Sequence, residues 1–374
     1  MKKVLIVQRV LTHYRAPFFQ GLRDRLIENG VELSLVYGQG DEGDRTRKDS
    51  AELAWASRIQ NRYLTGGLVW QPCLKFCRDT DLVVVENANR FLINYWLQLK
   101  QILGIRNIAF WGHGKNFQGG GWLSKLVKVR LMRFVHWWFT YTEQGKELVQ
   151  ASGFPGEKIT VVQNTIDISS LRSCKQEITP EEVQRKRDEL QLGNGPVLLY
   201  CGGMYREKLL PQLISEAVLL NKEIPSLQLI LIGSGAHGYL AKEASQKHRW
   251  IHYPGPLFGR EKVLHYLLAD YVWFPGSVGL GVLDSIALEV PMITTAYPGH
   301  GPEIAYLRNG ENSIMLKGEK EEWLPQLKQV LEDSKLKQTL VKGCKRDATQ
   351  FTLKRMVNNF AGGLLLALGL NAGR

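Results

Sequence analysis

The sequence predicts an α/β protein of two successive domains, each a parallel sheet covered by helices. Three observations predict it. With 374 residues the chain exceeds one ordinary core and suits two. Short β-branched runs alternate with longer stretches of helical periodicity, the pattern of strand–helix–strand units. That alternation gives way to a polar stretch from Ser169 to Gly193 and then begins again.

In the first half, Val4–Val7 reads as a buried strand. Ala16–Asn29 reads as a helix with Phe18, Phe19, Leu22 and Leu26 on one side and Gly30 as its C-cap. Val31–Tyr37, Asp81–Glu86, Ile105–Trp111 and Phe139–Tyr141 supply further strands. These fill a first domain over 1–168, with a hinge near residue 170. In the second domain, 169–351, strands are expected at Pro196–Tyr200, Leu227–Ile232, Tyr271–Phe274 and Met292–Thr295, and a helix at Leu209–Leu220. A last helix, about 352–374, is expected to return to the first domain. Gln8 and Arg9 interrupt the apolar start too early for a leader peptide. Phe360–Leu370 is shorter than the ~20 apolar residues of a membrane span.

Composition narrows the function. The apolar fraction of 44% is that of a folded protein, and the net charge of +12 favours polyanionic partners such as nucleotide diphosphates, nucleic acid or anionic lipid. Five scattered cysteines, with no second Cys/His pair near Cys73 and Cys77, read as reduced thiols of a cytoplasmic protein.

In open α/β sheets ligands bind beyond the carboxyl ends of the strands, so the residues after each strand carry the argument. Pro275 to Pro291, PGSVGLGVLDSIALEVP, places Ser277, Val278, Gly279 and Leu280 before a helix of about Val282–Leu288. Backbone amides there can approach an anion, and the helix N-terminus adds partial positive charge. Asp284 is either an acceptor for ribose hydroxyls or a helix-start acid that suits the dipole. Gly202 and Gly203 lead into Arg206 and Lys208, which are either cations for a departing diphosphate or a solvated helix start. Gly235 lies in a further glycine turn after a strand. Glu303 is either a donor-sugar contact or another first-turn acid. In the first half, His13, Tyr14 and Arg15 follow one strand, and His113 and Lys115 follow another. His113, held between two glycines, is positioned to meet a sugar hydroxyl or phosphate.

The order and spacing of these pieces resemble the retaining, GT-B-type glycosyltransferases of family 4, the type that builds bacterial cell-surface polysaccharides. Gly202 to Lys208 lies where that family has Gly-Arg…Glu-Lys-Gly, and Pro275 to Pro291 resembles its Pro-Ser…Glu-Gly-Phe-Gly-Leu…Glu-Ala…Gly-Val-Pro segment. Asn164-Thr165-Ile166-Asp167 and Gly233-Ser234-Gly235 are similar to two further motifs. The resemblance implies two facing Rossmann-like domains with a cleft between them, and sugar transfer with retention from a nucleotide sugar. His113, Arg206 and Lys208 would then be catalytic, His13, Tyr14, Arg15 and Lys115 acceptor-side, and the remaining positions above donor-binding. Neither a metal nor a cofactor is expected, the nucleotide sugar being a co-substrate. Two departures stand out: Gly276 occupies the position of the first family glutamate, and Gly203 that of its arginine.

Trp122 to Thr140 holds Lys125, Lys128, Arg130, Arg133, Trp137 and Trp138 without an acid. That composition suits peripheral contact with an anionic membrane on its cytoplasmic face, and a glycan or lipid-linked saccharide as acceptor. A nucleotide-sugar epimerase of the same architecture is the alternative enzyme. A basic nucleic-acid-binding protein is the non-enzymatic alternative, although none of its standard motifs is present.

Overall fold

The computed structural model describes residues 1–41, 50–114 and 130–371. The chain divides into two compact units, Met1–Asp167 with Leu353–Arg374, and Ile168–Thr352.

In the first unit the strands are β1 (Lys2–Val10), β2 (Val31–Gly38), β3 (Ser57–Arg58), β4 (Arg62–Tyr63), β5 (Val69–Trp70), β6 (Leu82–Glu86), β7 (Asn107–Gly112), β8 (Trp137–Thr140) and β9 (Ile159–Val161). β4 and β5 form a small antiparallel pair. The others make one parallel sheet in the order β3-β2-β1-β6-β7-β8-β9. Val4–Val7 and Leu82–Val85 are buried on both faces, which is why they read as continuous apolar runs rather than alternations. Strand order reverses between β1 and β6, the place in an open α/β sheet beyond which ligands generally bind.

Helix Leu353–Ala367 packs against helix Ala16–Ile27 in this unit. Phe360 stacks on Phe139 with centroids 4.3 Å apart and meets Phe18 and Trp111 at an angle, at 5.5 and 4.9 Å. Gly363 permits the close approach: a Cβ there would fall 2.4 Å from Thr160 Oγ1 and 2.7 Å from the Phe139 ring. Trp137 and Trp138 are buried in β8, with Trp138 Nε1 donating to Met132 O. This corrects their expected role as membrane anchors. Apolar side chains on an interior strand of a covered sheet cannot reach a bilayer. Lys125 and Lys128 of the same stretch lie outside the described residues.

The second unit has β10 (Val197–Cys201), β11 (Gln228–Ile232), β12 (Ile251–Gly255), β13 (Tyr271–Phe274), β14 (Met292–Thr295) and β15 (Ser313–Leu316). All neighbours are parallel in the order β12-β11-β10-β13-β14-β15, with the reversal between β10 and β13. The polar stretch near the expected hinge is helical: Ser169–Glu177 and Pro180–Glu189 pack on helix Gly259–Leu268. A reciprocal cap between Thr179 and Glu182 starts the second of them. Among the described residues no helix is long and apolar enough to cross a membrane.

Candidate functional site

The loops after β10 and β13 meet at the reversal of strand order in the second unit. A cavity of about 180 Å³ opens there, lined by Cys201, Gly202, Gly203, Lys208, Phe274, Met292 and Val278 to Val282. The turn Arg206–Lys208 aims one cation into it. Lys208 Nζ donates to Ser277 O at 2.6 Å and lies 5.9 Å from the Phe274 ring centroid. Burial lowers its pKa from the ordinary lysine value, against the pull of Glu207 and Glu303. A partly desolvated ammonium attracts an incoming anion more strongly than a hydrated one does. Arg206 stays exposed on the same turn and does not line the cavity. Gly235 lies behind the loop, against Met204.

The glycine loop is held in place from several sides. Ser277 N–H donates to Glu207 O at 2.8 Å and Ser277 Oγ to Gly299 O at 2.8 Å. Val278 N–H donates to His300 Nδ1 at 3.1 Å, while His300 Nε2 lies 2.8 Å from Thr295 O. These two contacts assign the ring proton to Nε2. Burial keeps the pKa of His300 below its ordinary value, with the Thr295 contact opposing and the Lys208 charge reinforcing. The Val278 amide is therefore committed to His300 and is not open to an anion, contrary to the expectation from the sequence. Gly279, Leu280 and Gly281 N–H have no acceptor among the described residues, and helix Gly281–Leu288 begins there.

Three carboxylate positions have different fates. At Gly276 a Cβ would meet Glu207 O at 2.4 Å and Lys208 C at 2.7 Å, so backbone fills the space a side chain would need. Asp284 is buried on the first turn of its helix, where Lys262 Nζ donates to its Oδ2 at 2.7 Å and Oδ1 has no partner. Burial raises the Asp284 pKa, with Lys262 opposing. Lys262 thus already holds one of the two oxygens expected for ribose. Glu303 is buried on the turn Pro302–Tyr306 with its carboxylate against Gly301.

In the first unit, strand ends gather a second polar set. Arg15 follows β1 on a short turn, His13–Arg15, in which His13 is exposed. Its guanidinium bonds Asn164 Oδ1 and lies 5.5 to 5.9 Å from the rings of Tyr14, Trp111 and Tyr141. His113 follows β7, and its ring meets Tyr141 edge-on at 4.7 Å. One side of His113 is open to solvent, while crowding on the other, with the Arg15 charge, lowers its pKa. Lys115 lies outside the described residues.

Residues 195–333 match the family described as Glycosyl transferases group 1. The second unit is similar to group 1 glycosyl transferases. The putative glycosyltransferase EpsD of Bacillus subtilis (strain 168) is 31% identical over 196 residues, an alignment that spans 49% of this chain and 49% of EpsD. The fold is shared more widely. HepE of Anabaena, solved in complex with UDP, superposes with a TM-score of 0.68 at 16% identity, over 97% of this chain and 99% of that one. WaaG, a glycosyltransferase involved in lipopolysaccharide biosynthesis, gives 0.61 at 14% identity over 97% and 99%. The fold class is accordingly GT-B, each of the two units Rossmann-like.

Three residues went unread in the sequence. Lys262 was invisible because its partner lies 22 positions away on another helix. His300 follows a strand as a loop histidine, and nothing local in the sequence shows that its ring holds the Val278 amide. Glu86 ends β6, accepts from Arg9 N–H at 2.6 Å, and has its pKa raised by burial against Arg9, Arg90 and Arg15. An acid closing an apolar run at a strand's carboxyl end was its available signal.

Proposed function

We propose that the chain transfers a sugar from a nucleoside-diphosphate sugar to a glycan or lipid-linked saccharide, with retention and without a metal. The observation that carries this reading is the cavity of the second unit, where Lys208 and the amides of Gly279, Leu280 and Gly281 converge. As the bond from the anomeric carbon to the phosphate oxygen breaks, negative charge grows on the diphosphate. A fixed cation and a helix N-terminus stabilise that charge. The acceptor hydroxyl forms the new bond, and its proton passes to the departing phosphate. Glu303 is assigned to the donor sugar, because no side chain fits at position 276. Asp284 is assigned to ribose through the oxygen that Lys262 leaves open. His113, His13, Tyr14, Arg15 and Lys115 are assigned to the sugar and acceptor hydroxyls, and Arg206 to the outer phosphate.

UDP is the first nucleotide to test, since HepE was solved with it. Calorimetric titration of UDP, GDP, ADP and dTDP should show binding of at least one. Lys208→Ala should then weaken the bound nucleotide and slow transfer by about tenfold or more, as expected for loss of a charged hydrogen bond. Failure of all four nucleotides to bind would sink the reading. Conversion of the nucleotide sugar with no acceptor present would replace transfer with epimerisation.

A further inference from the structure

Helix Leu92–Ile102 has its polarity inverted. It buries Asn94 and Gln98 together with Ile93 and Leu97. Its outer stripe is Tyr95, Trp96, Leu99 and Ile102, continued by Leu103 and Ile105, all between 40% and 61% exposed. Spacings of three, four and seven place these side chains on one side of the helix. Gln98 Nε2 donates to Leu131 O, which ties the segment carrying the half-exposed Phe134 to this helix. A surface helix of an α/β unit ordinarily turns its polar face outward, so an apolar outer stripe implies a covering partner.

Charge says which partner. Among the described residues from Asn87 to Thr142 there is no Asp or Glu, but Arg90, Lys100, Arg106, Arg130 and Arg133 are present. Lys100 Nζ lies 5.9 Å from the Trp96 ring, on the stripe itself, and Arg130 and Arg133 are exposed near Phe134. A second copy of this face would meet it with like charge. An apolar centre carrying Trp and Tyr, ringed by cations, matches the headgroup boundary of an anionic bilayer instead.

We propose that the outer face of helix Leu92–Ile102 is a docking surface for an anionic lipid bilayer. The surface belongs to the first unit and the nucleotide cavity is lined by the second, and the proposal stands independently of the transfer reaction. The test is co-sedimentation of the full chain with phosphatidylcholine vesicles, with and without phosphatidylglycerol, at low and high salt. Binding is expected to the anionic vesicles and to weaken with salt. Trp96→Glu with Leu99→Glu should lower partitioning by roughly a hundredfold, and Lys100→Glu should lower it more at low salt than at high salt. Both positions are exposed, so circular dichroism should be unchanged. Nucleotide titration of the same variants should match the parent, which separates this test from that of the donor site. Absence of binding to anionic vesicles at low salt overturns the proposal, as does undiminished binding by the double variant. So does a dimer, seen by light scattering, that the double variant dissociates, because the face would then be a self-association surface.

Discussion

At position 276 the backbone of Glu207 and Lys208 occupies the volume in which a side chain would stand. The same turn delivers Lys208 to the Ser277 carbonyl, so the missing carboxylate and the buried cation are two results of one close approach. Gly276→Glu, which restores the residue of the resembled family, should therefore destabilise the fold by about 1–3 kcal/mol or more rather than raise activity. Chemical denaturation measures this, and a stable, more active variant would contradict the packing argument. Asp284 and Lys262 form the second residue-scale pair, with both side chains largely buried. Lys262→Met leaves a buried carboxylate without its counter-ion, a loss of ~3 kcal/mol at neutral pH. The sign of the pH dependence follows from the raised Asp284 pKa. A carboxyl group with a raised folded pKa stabilises the fold below its unfolded value, about 3.9, and that contribution is lost as pH rises through the folded value. The deficit of Lys262→Met should accordingly shrink as pH falls toward 4, and a pH-independent deficit would mean that Asp284 is not the group left exposed to burial. Gly202, Lys208 and the loop from Ser277 were legible in the sequence because they directly follow strands that stand out as short continuous apolar runs. Lys262 and the exclusion at Gly276 were not, because both depend on side-by-side placement of segments far apart in the chain.

The strands show the same division between local and non-local information. Those recognised in the sequence, β1, β2, β6, β7, β8, β10, β11, β13 and β14, are all interior to their sheets. The four unrecognised strands of the two large sheets, β3, β9, β12 and β15, are the edges. An edge strand is covered on fewer sides, so it needs fewer apolar residues; β12 even carries Pro254 and His252. The C-terminal helix Leu353–Ala367 offers a sharper test, because two adjacent glycines there have opposite surroundings. A Cβ on Gly362 would meet nothing within 4 Å, whereas one on Gly363 would collide with Thr160 Oγ1, the acceptor of the Trp137 indole hydrogen bond at 2.9 Å. Gly362→Ala should stabilise by about 0.8–1 kcal/mol through helix propensity alone. Gly363→Ala should destabilise by about 1–3 kcal/mol through overpacking. Urea melts of the two single variants decide it, and shifts of the same sign would refute the assigned packing of this helix.

Each unit of the whole molecule has its own sheet and its own buried core, and the proposed nucleotide cavity is lined by residues of the second unit. Two unfolding transitions are therefore expected by calorimetry, and they can be assigned with a variant already argued. Gly363→Ala should lower the transition of the first unit, since Thr160 and Phe139 belong to that core. A bound nucleotide should raise the other one. At a concentration a hundred times its Kd, a ligand that binds only the folded state stabilises by ~2.7 kcal/mol. For a unit of this size that corresponds to a rise in Tm of roughly 5–10 °C. The informative result is the pairing of the two effects on different transitions. If nucleotide and Gly363→Ala move the same transition, or if a single transition carries both responses, the nucleotide does not report on the second unit alone. The cavity between β10 and β13 would then be an incomplete description of where the donor binds.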